Sequence, residues 1–156
     1  MALVQRLEGN WFANNLGDAD DAAAIALYLE EGELPRVRAR RNRLTSNDIA
    51  VTIRGNGPIP RDAELDFGRP GDPGDNRFLC SGFRRGRRTG GHVVVEIPAE
   101  PGAILHLAGN QWGTLPLLIH RGPGRHRPVD VALDAQPGPI VDLGGAVSMN
   151  RSCVSE

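Results

Sequence analysis

The sequence predicts a mainly β, single-domain protein: an antiparallel sandwich or barrel of the jelly-roll type, with about eight short strands and one short N-terminal helix. Three observations carry this expectation. Short apolar runs recur every ~10–15 residues, which leaves no room for helices between them. Twenty glycines and twelve prolines punctuate 156 residues, and they sit between those runs, where turn geometry needs them. The length suits one compact domain. At 40% apolar and 24% charged residues, the chain is also too apolar to stay disordered.

Residues 1–17 read as an N-terminal arm carrying Trp11 and Phe12. A helix is expected over 18–31. Asp18, Asp20 and Asp21 place carboxylates at its start, where exposed amides favour them. Ile25, Tyr28 and Leu29 share a face at helical spacing, and Gly32 and Pro35 stop it. The sheet core is expected over 48–143, with strands at 48–54, 63–67, 78–83, 92–97, 103–107, 115–121, 129–133 and 139–143. The runs 92–97 and 115–119 are nearly all apolar and are expected at the core. No internal repeat is evident.

Composition excludes several chemistries. All 18 basic residues are arginine. That removes lysine Schiff bases, pyridoxal-phosphate catalysis and the lysine of a phosphate-binding loop. With 4% aromatic residues, the chain lacks the rings of a base-stacking platform. Two cysteines, Cys80 and Cys153, cannot form a C-x-x-C metal cluster. The N-terminus lacks a signal-peptide core and no run is long enough to span a membrane, so a cytoplasmic protein with two reduced thiols is expected. Export by another route would allow the two to pair.

Charge is balanced at −1 but arranged in blocks. Residues 1–35 carry −6, residues 36–61 carry +6, 62–75 carry −4, 76–91 carry +5, and the remainder −2. Such alternation predicts that opposite blocks meet, within the fold or between copies. The cations form two clusters. Arg36, Arg38 and Arg40 share a strand face, and Arg84, Arg85, Arg87 and Arg88 lie around a turn. Guanidinium forks in either cluster suit an anion. Nucleic acid is not an expected partner, because net charge is not positive.

Candidate catalytic groups are few. His92, Glu96, His106 and His120 are the candidates, as acid/base groups or as ligands of a divalent metal if neighbouring strands bring them to one face. Asp66, Asp72 and Asp75 suit calcium only as a flexible oxygen-rich loop. Cys80 has apolar neighbours, and Ser81 lacks the glycine of a nucleophile elbow. The segment from Gly91 through His92, Glu96, Pro98 and Pro101 to Gly102 resembles the second conserved motif of the cupin barrels. Aligned on Pro98, the metal-binding histidine position falls on Ala103; aligned on Pro101, His106 takes it and Asn110 follows at the family's spacing. The glycine is displaced and the paired-histidine first motif is missing. The resemblance implies a small β-barrel enzyme with a divalent metal.

The leading expectation is a non-enzymatic binding or assembly module with no cofactor. It is expected to be homo-oligomeric, to use complementary acidic and arginine-rich blocks, and to contact partners through Trp11, Phe12 and Trp112. The alternatives are the cupin-like enzyme and an arginine-mediated polyanion binder.

Overall fold

The structure is a computed structural model, and it describes residues 4–16, 23–81, 83–84, 87–88, 91–113, 118–122 and 129–148. Among these residues every regular element is a strand. They are β1 (Gln5–Glu8), β2 (Trp11–Ala13), β3 (Ala23–Leu29), β4 (Arg36–Arg40), β5 (Arg43–Thr45), β6 (Ile49–Gly55), β7 (Glu64–Asp66), β8 (Arg77–Leu79), β9 (Phe83–Arg84), β10 (Arg87–Arg88), β11 (Gly91–Val95), β12 (Ile104–His106), β13 (Gln111–Trp112), β14 (Ile119–Arg121), β15 (Val129–Leu133), β16 (Ile140–Asp142) and β17 (Val147–Ser148).

Three five-stranded sheets contain all but β9 and β10. Sheet I has the order β1-β4-β7-β12-β16, sheet II β2-β5-β8-β13-β17, and sheet III β3-β6-β11-β15-β14. The chain visits I, II and III in rotation, and each return lands beside the previous visit, except that from β13 it enters β14 at the outer edge of sheet III and then comes back inward as β15, beside β11. That is a coil, stacked turn on turn: a parallel β-solenoid. Every pairing within these sheets is parallel. Antiparallel pairing in the described residues is confined to the β9–β10 hairpin and the single bridge between Arg69 and Asp72.

The antiparallel sandwich, barrel or jelly roll expected from sequence is therefore incorrect, and the cupin-like barrel falls with it. The helix expected at 18–31 is also incorrect where it is described. Residues 23–29 form β3, and its burial alternates with Ile25, Leu27 and Leu29 inward and Tyr28 exposed. Pairing with β6 over six registered residues overrides the local helix preference of alanine and leucine. Residues 17–22 lie outside the described residues. The segment expected as an arm supplies β1 and β2, the first strands of sheets I and II.

The coil has a period. Asn10, Asn42, Asn76 and Asn110 follow one another at 32, 34 and 34 residues. They occupy the corner between sheets I and II. The backbone amide and Nδ2 of each donate to Oδ1 of the next, at 2.9–3.1 Å. The residue before each turns the corner at positive φ: Gly9, Arg41, Asp75 and Gly109, with Gly145 in the last coil, all between 50° and 68°. Asn15 and Asn47 form a second ladder beyond sheet II, ending near Ser81.

Inside the coil, side chains stack in columns. Val37, Leu65 and Leu105 line sheet I. Leu44, Phe78 and Trp112 line sheet II, with the Phe78 and Trp112 rings stacked at 4.6 Å. Val51, Val93 and Val131, with Ile53, Val95 and Leu133, line sheet III. Ile49, Val94 and Ala132 are buried in a second, smaller cluster. The expectation for 92–97 as a core strand fits this picture. That for 115–119 does not: Leu118 and Ile119 are exposed, and 115–117 lie outside the described residues.

Candidate interface: charged sheet faces and open coil ends

Alternation along each strand puts every second residue of sheet I outside. The registers then align one outer row, Arg6–Arg38–Asp66–His106–Asp142. The expected meeting of charge blocks happens here, within one chain. Arg40, 8% exposed at its side chain, donates to both oxygens of Asp66 at 2.9 Å and to Asp72 at 2.6 Å. Arg38 also donates to Asp72, Arg69 pairs with Glu64 and Asp66, and Arg41 pairs with Glu8. Burial alone would lower the pKa of Arg40. Its hydrogen bonds to Asp72 and Asp66 outweigh that and raise it. The same hydrogen bond from Arg40 is the first cause holding the Asp72 carboxyl below its ordinary range.

This network answers two expectations about the cluster. Arg38 and Arg40 are already neutralised, so they are poor anion ligands, while Arg36 lies in register with Glu64. Asp66 and Asp72 are engaged by arginines. Among the described residues no group of three His, Cys, Asp or Glu side chains is placed to hold a metal. A groove of about 360 Å³ beside the network is lined by Arg6, Glu8, Arg38, Arg40, Arg41 and Asp72.

The histidines do not converge. His106 is on sheet I, with Nδ1 3.4 Å from Asp142. His92 and His120 are on sheet III, but β15 lies between their strands. His92 is buried against Phe78 and Trp112, with Nε2 3.8 Å from Asp130, too far for a hydrogen bond. Burial lowers its pKa to about 4, so the ring is neutral at physiological pH. Glu96 follows β11, half-buried.

Trp112 is fully buried in the inner column, where no partner reaches it. Phe12 packs against the same core from the first coil. Trp11 is 71% exposed, with the Arg43 guanidinium 5.4 Å from its ring centroid. Arg43 and Arg77 are registered neighbours on the outer face of sheet II. Both are exposed, and among the described residues neither has a carboxylate partner. The cluster Arg84, Arg87 and Arg88 lies on the β9–β10 hairpin, and Arg85 lies outside the described residues. Cys80 is disulfide-bonded, against the expectation of two reduced thiols; Cys153, the chain's other cysteine, lies outside the described residues. No described helix is long and apolar enough to cross a membrane.

One feature escaped the sequence reading. The large exposed hydrophobic residues are Val4, Trp11, Leu16, Tyr28 and Leu34, then Leu118, Ile119, Ile140 and Val147. The first four belong to the first coil, and Leu34 lies near the end of the connection from it to β4. The other four belong to the last strand of each sheet or adjoin it. Among the described residues, the strands of the middle coils contribute none. A search for the asparagine period would have located these ends.

No known protein family, curated protein or solved structure matches the chain.

Proposed function

We propose that this chain is a non-enzymatic assembly module that associates with further copies of itself through the ends of its coil stack. The observation that carries the reading is that, among the described residues, exposed large apolar side chains are confined to the two end coils and the connection that leaves the first. A solenoid coil is stabilised by its neighbours, so an end coil without a polar cap has an unmet face. Edge strands are usually blunted by charge, proline or a bulge. β3 is a seven-residue edge strand, AAIALYL, with no charge at all. Sedimentation velocity across a concentration series tests the reading. Association should weaken in Trp11→Glu and Ile140→Arg but persist in Arg77→Glu, which alters a middle coil. A wild-type chain that stays at 16.8 kDa up to high concentration would refute it.

A second reading, anion binding, is favoured by Arg43 and Arg77. Like charges on directly paired positions repel, and a bound sulfate, phosphate or carboxylate relieves that. An acidic polysaccharide fits better than nucleic acid, because the disulfide at Cys80 suits an oxidising, extracytoplasmic compartment. Salt-sensitive retention on a sulfated matrix, lost in Arg43→Gln/Arg77→Gln, tests this. Equal retention of the variant would exclude the pair.

A further inference from the structure

Building on the end-coil assembly reading, we infer that copies join head to tail. The C-terminal edge strands β16, β17 and β14 of one copy then pair in parallel with the N-terminal edge strands β1, β2 and β3 of the next. The coil continues from copy to copy.

Each sheet has five strands, so both ends of the stack finish level. The registers determine what a sixth strand would meet. In sheet I, Arg6 begins the outer row that Asp142 ends. Among the described residues Arg6 has no carboxylate partner. A continued stack places it one strand spacing, about 4.8 Å, from Asp142 of the neighbour. Two residues earlier along the strands, the row through Arg36, Glu64 and Ile104 ends at Ile140 and extends back to Val4. Both end residues are exposed and apolar. In sheet II, Trp11 begins the row of Arg43, Arg77 and Gln111, which Val147 ends. In sheet III, Ile25 begins the row of Val51, Val93 and Val131, which Ile119 ends. Four rows in three sheets therefore bring like polarity or opposite charge together under a single translation.

The alternative is a two-fold contact between identical ends. It would set the exposed Glu30, Glu31 and Glu33, which follow β3, near their own copies, or Asp142 near itself. Charge therefore selects the heterologous contact, which has no closing symmetry and adds copies indefinitely.

Two half-blocked chains test this. Trp11→Glu blocks the N-terminal end and leaves the C-terminal end free; Val147→Arg does the reverse. Thermal melting confirms that each is folded, and native mass spectrometry reads the species. The wild type should give a series of multiples of 16.8 kDa that lengthens with concentration. Each variant alone should be monomeric, and an equimolar mixture should give a mixed dimer and nothing larger. Separately, Arg6→Asp should weaken wild-type association by about tenfold or more, and adding Asp142→Arg should restore it. A blocked variant that dimerises alone, or a mixture that stays monomeric while the wild type associates, would overturn the head-to-tail register and leave end-coil assembly standing. A monomeric wild type would overturn both.

Discussion

Replacing Asn76 should separate a load carried by the asparagine ladder from one carried by apolar stacking. Asn76 is 1% exposed. Its Oδ1 accepts from the backbone amide and Nδ2 of Asn42, at 3.0 and 2.9 Å. Its Nδ2 reaches the carbonyls of Ala39 and Phe67 and Oδ1 of Asn110, each at 3.0 Å. Asn76→Ala strands the two donors of Asn42 and removes a donor from two carbonyls. Water cannot replace them in a closed column. A buried group left unpaired costs ~1–3 kcal/mol, and some of the five contacts are shared. The expected loss is therefore about 3–5 kcal/mol, or roughly 10 °C in Tm for a chain of this size. Asn76→Asp keeps the acceptor but turns an oxygen toward three acceptors, so it should be at least as harmful. Asn10→Ala supplies the control. Asn10 lies exposed in the first coil and its side chain donates to Asn42, so its loss should cost under about 1 kcal/mol. Urea unfolding of the three variants, followed by circular dichroism, reads the order. Equal losses for Asn76→Ala and Asn10→Ala would refute the argument that the ladder bears load.

Arg40→Met should cost about 3 kcal/mol, because it leaves the buried Asp66 with less compensation, and adding Asp66→Leu should recover part of that in a double-mutant cycle. His92 sets a pH limit. Its pKa in the folded state is about 4 against an ordinary 6.5, so the unfolded chain takes up the proton first as pH falls. Stability is full above pH 6.5 and declines toward pH 4 by up to ~3 kcal/mol; His92→Phe should flatten that slope in chemical denaturation. Gly68→Ala should destabilise strongly, since Gly68 sits at φ +142° and a Cβ there would lie 2.0 Å from the carbonyl oxygen of Ala108; an unchanged melting temperature would contradict the close approach.

Strand positions were legible because each run pairs an apolar stripe with turn residues at both ends. Residues 49–55, 64–66, 104–106, 129–133 and 140–142 all form strands within or next to the expected runs. Pairing direction was not legible. Parallel strands need a long crossover, usually a helix, and here the crossover is two further strands in other sheets. In β3, Ile25, Leu27 and Leu29 alternate at period two, yet the intervening alanines suit either period, and Tyr28 completes a false helical face. The repeat escaped because little recurs in each turn beyond a corner residue, an asparagine and an apolar residue two positions on. Compare Asn10 and Phe12 with Asn42 and Leu44, Asn76 and Phe78, and Asn110 and Trp112. The charge blocks, by contrast, announced that opposites meet, within the fold or between copies; in sheet I the cations of 36–61 meet the acids of 62–75 because one coil lies on the next.

The ends of the stack also explain why apolar exposure is informative here. Ile104 and Ile140 are registered partners in one row of sheet I. Ile104 has a strand on each side and is half-buried, while Ile140 has one neighbour and is 57% exposed. The difference between them is the missing strand. Gln111 and Val147 repeat the comparison in sheet II, where Val147 is 54% exposed. A further strand would bring Ile140 to the condition of Ile104, a gain on the order of 1 kcal/mol for each such side chain, while pairing backbone groups along three edges at once. One end contact alone would not offset the entropy of association. Three sheets ending level make the gains simultaneous, and that level finish is the geometric reason to expect the ends, and not the charged flanks, to be where this chain meets its neighbour.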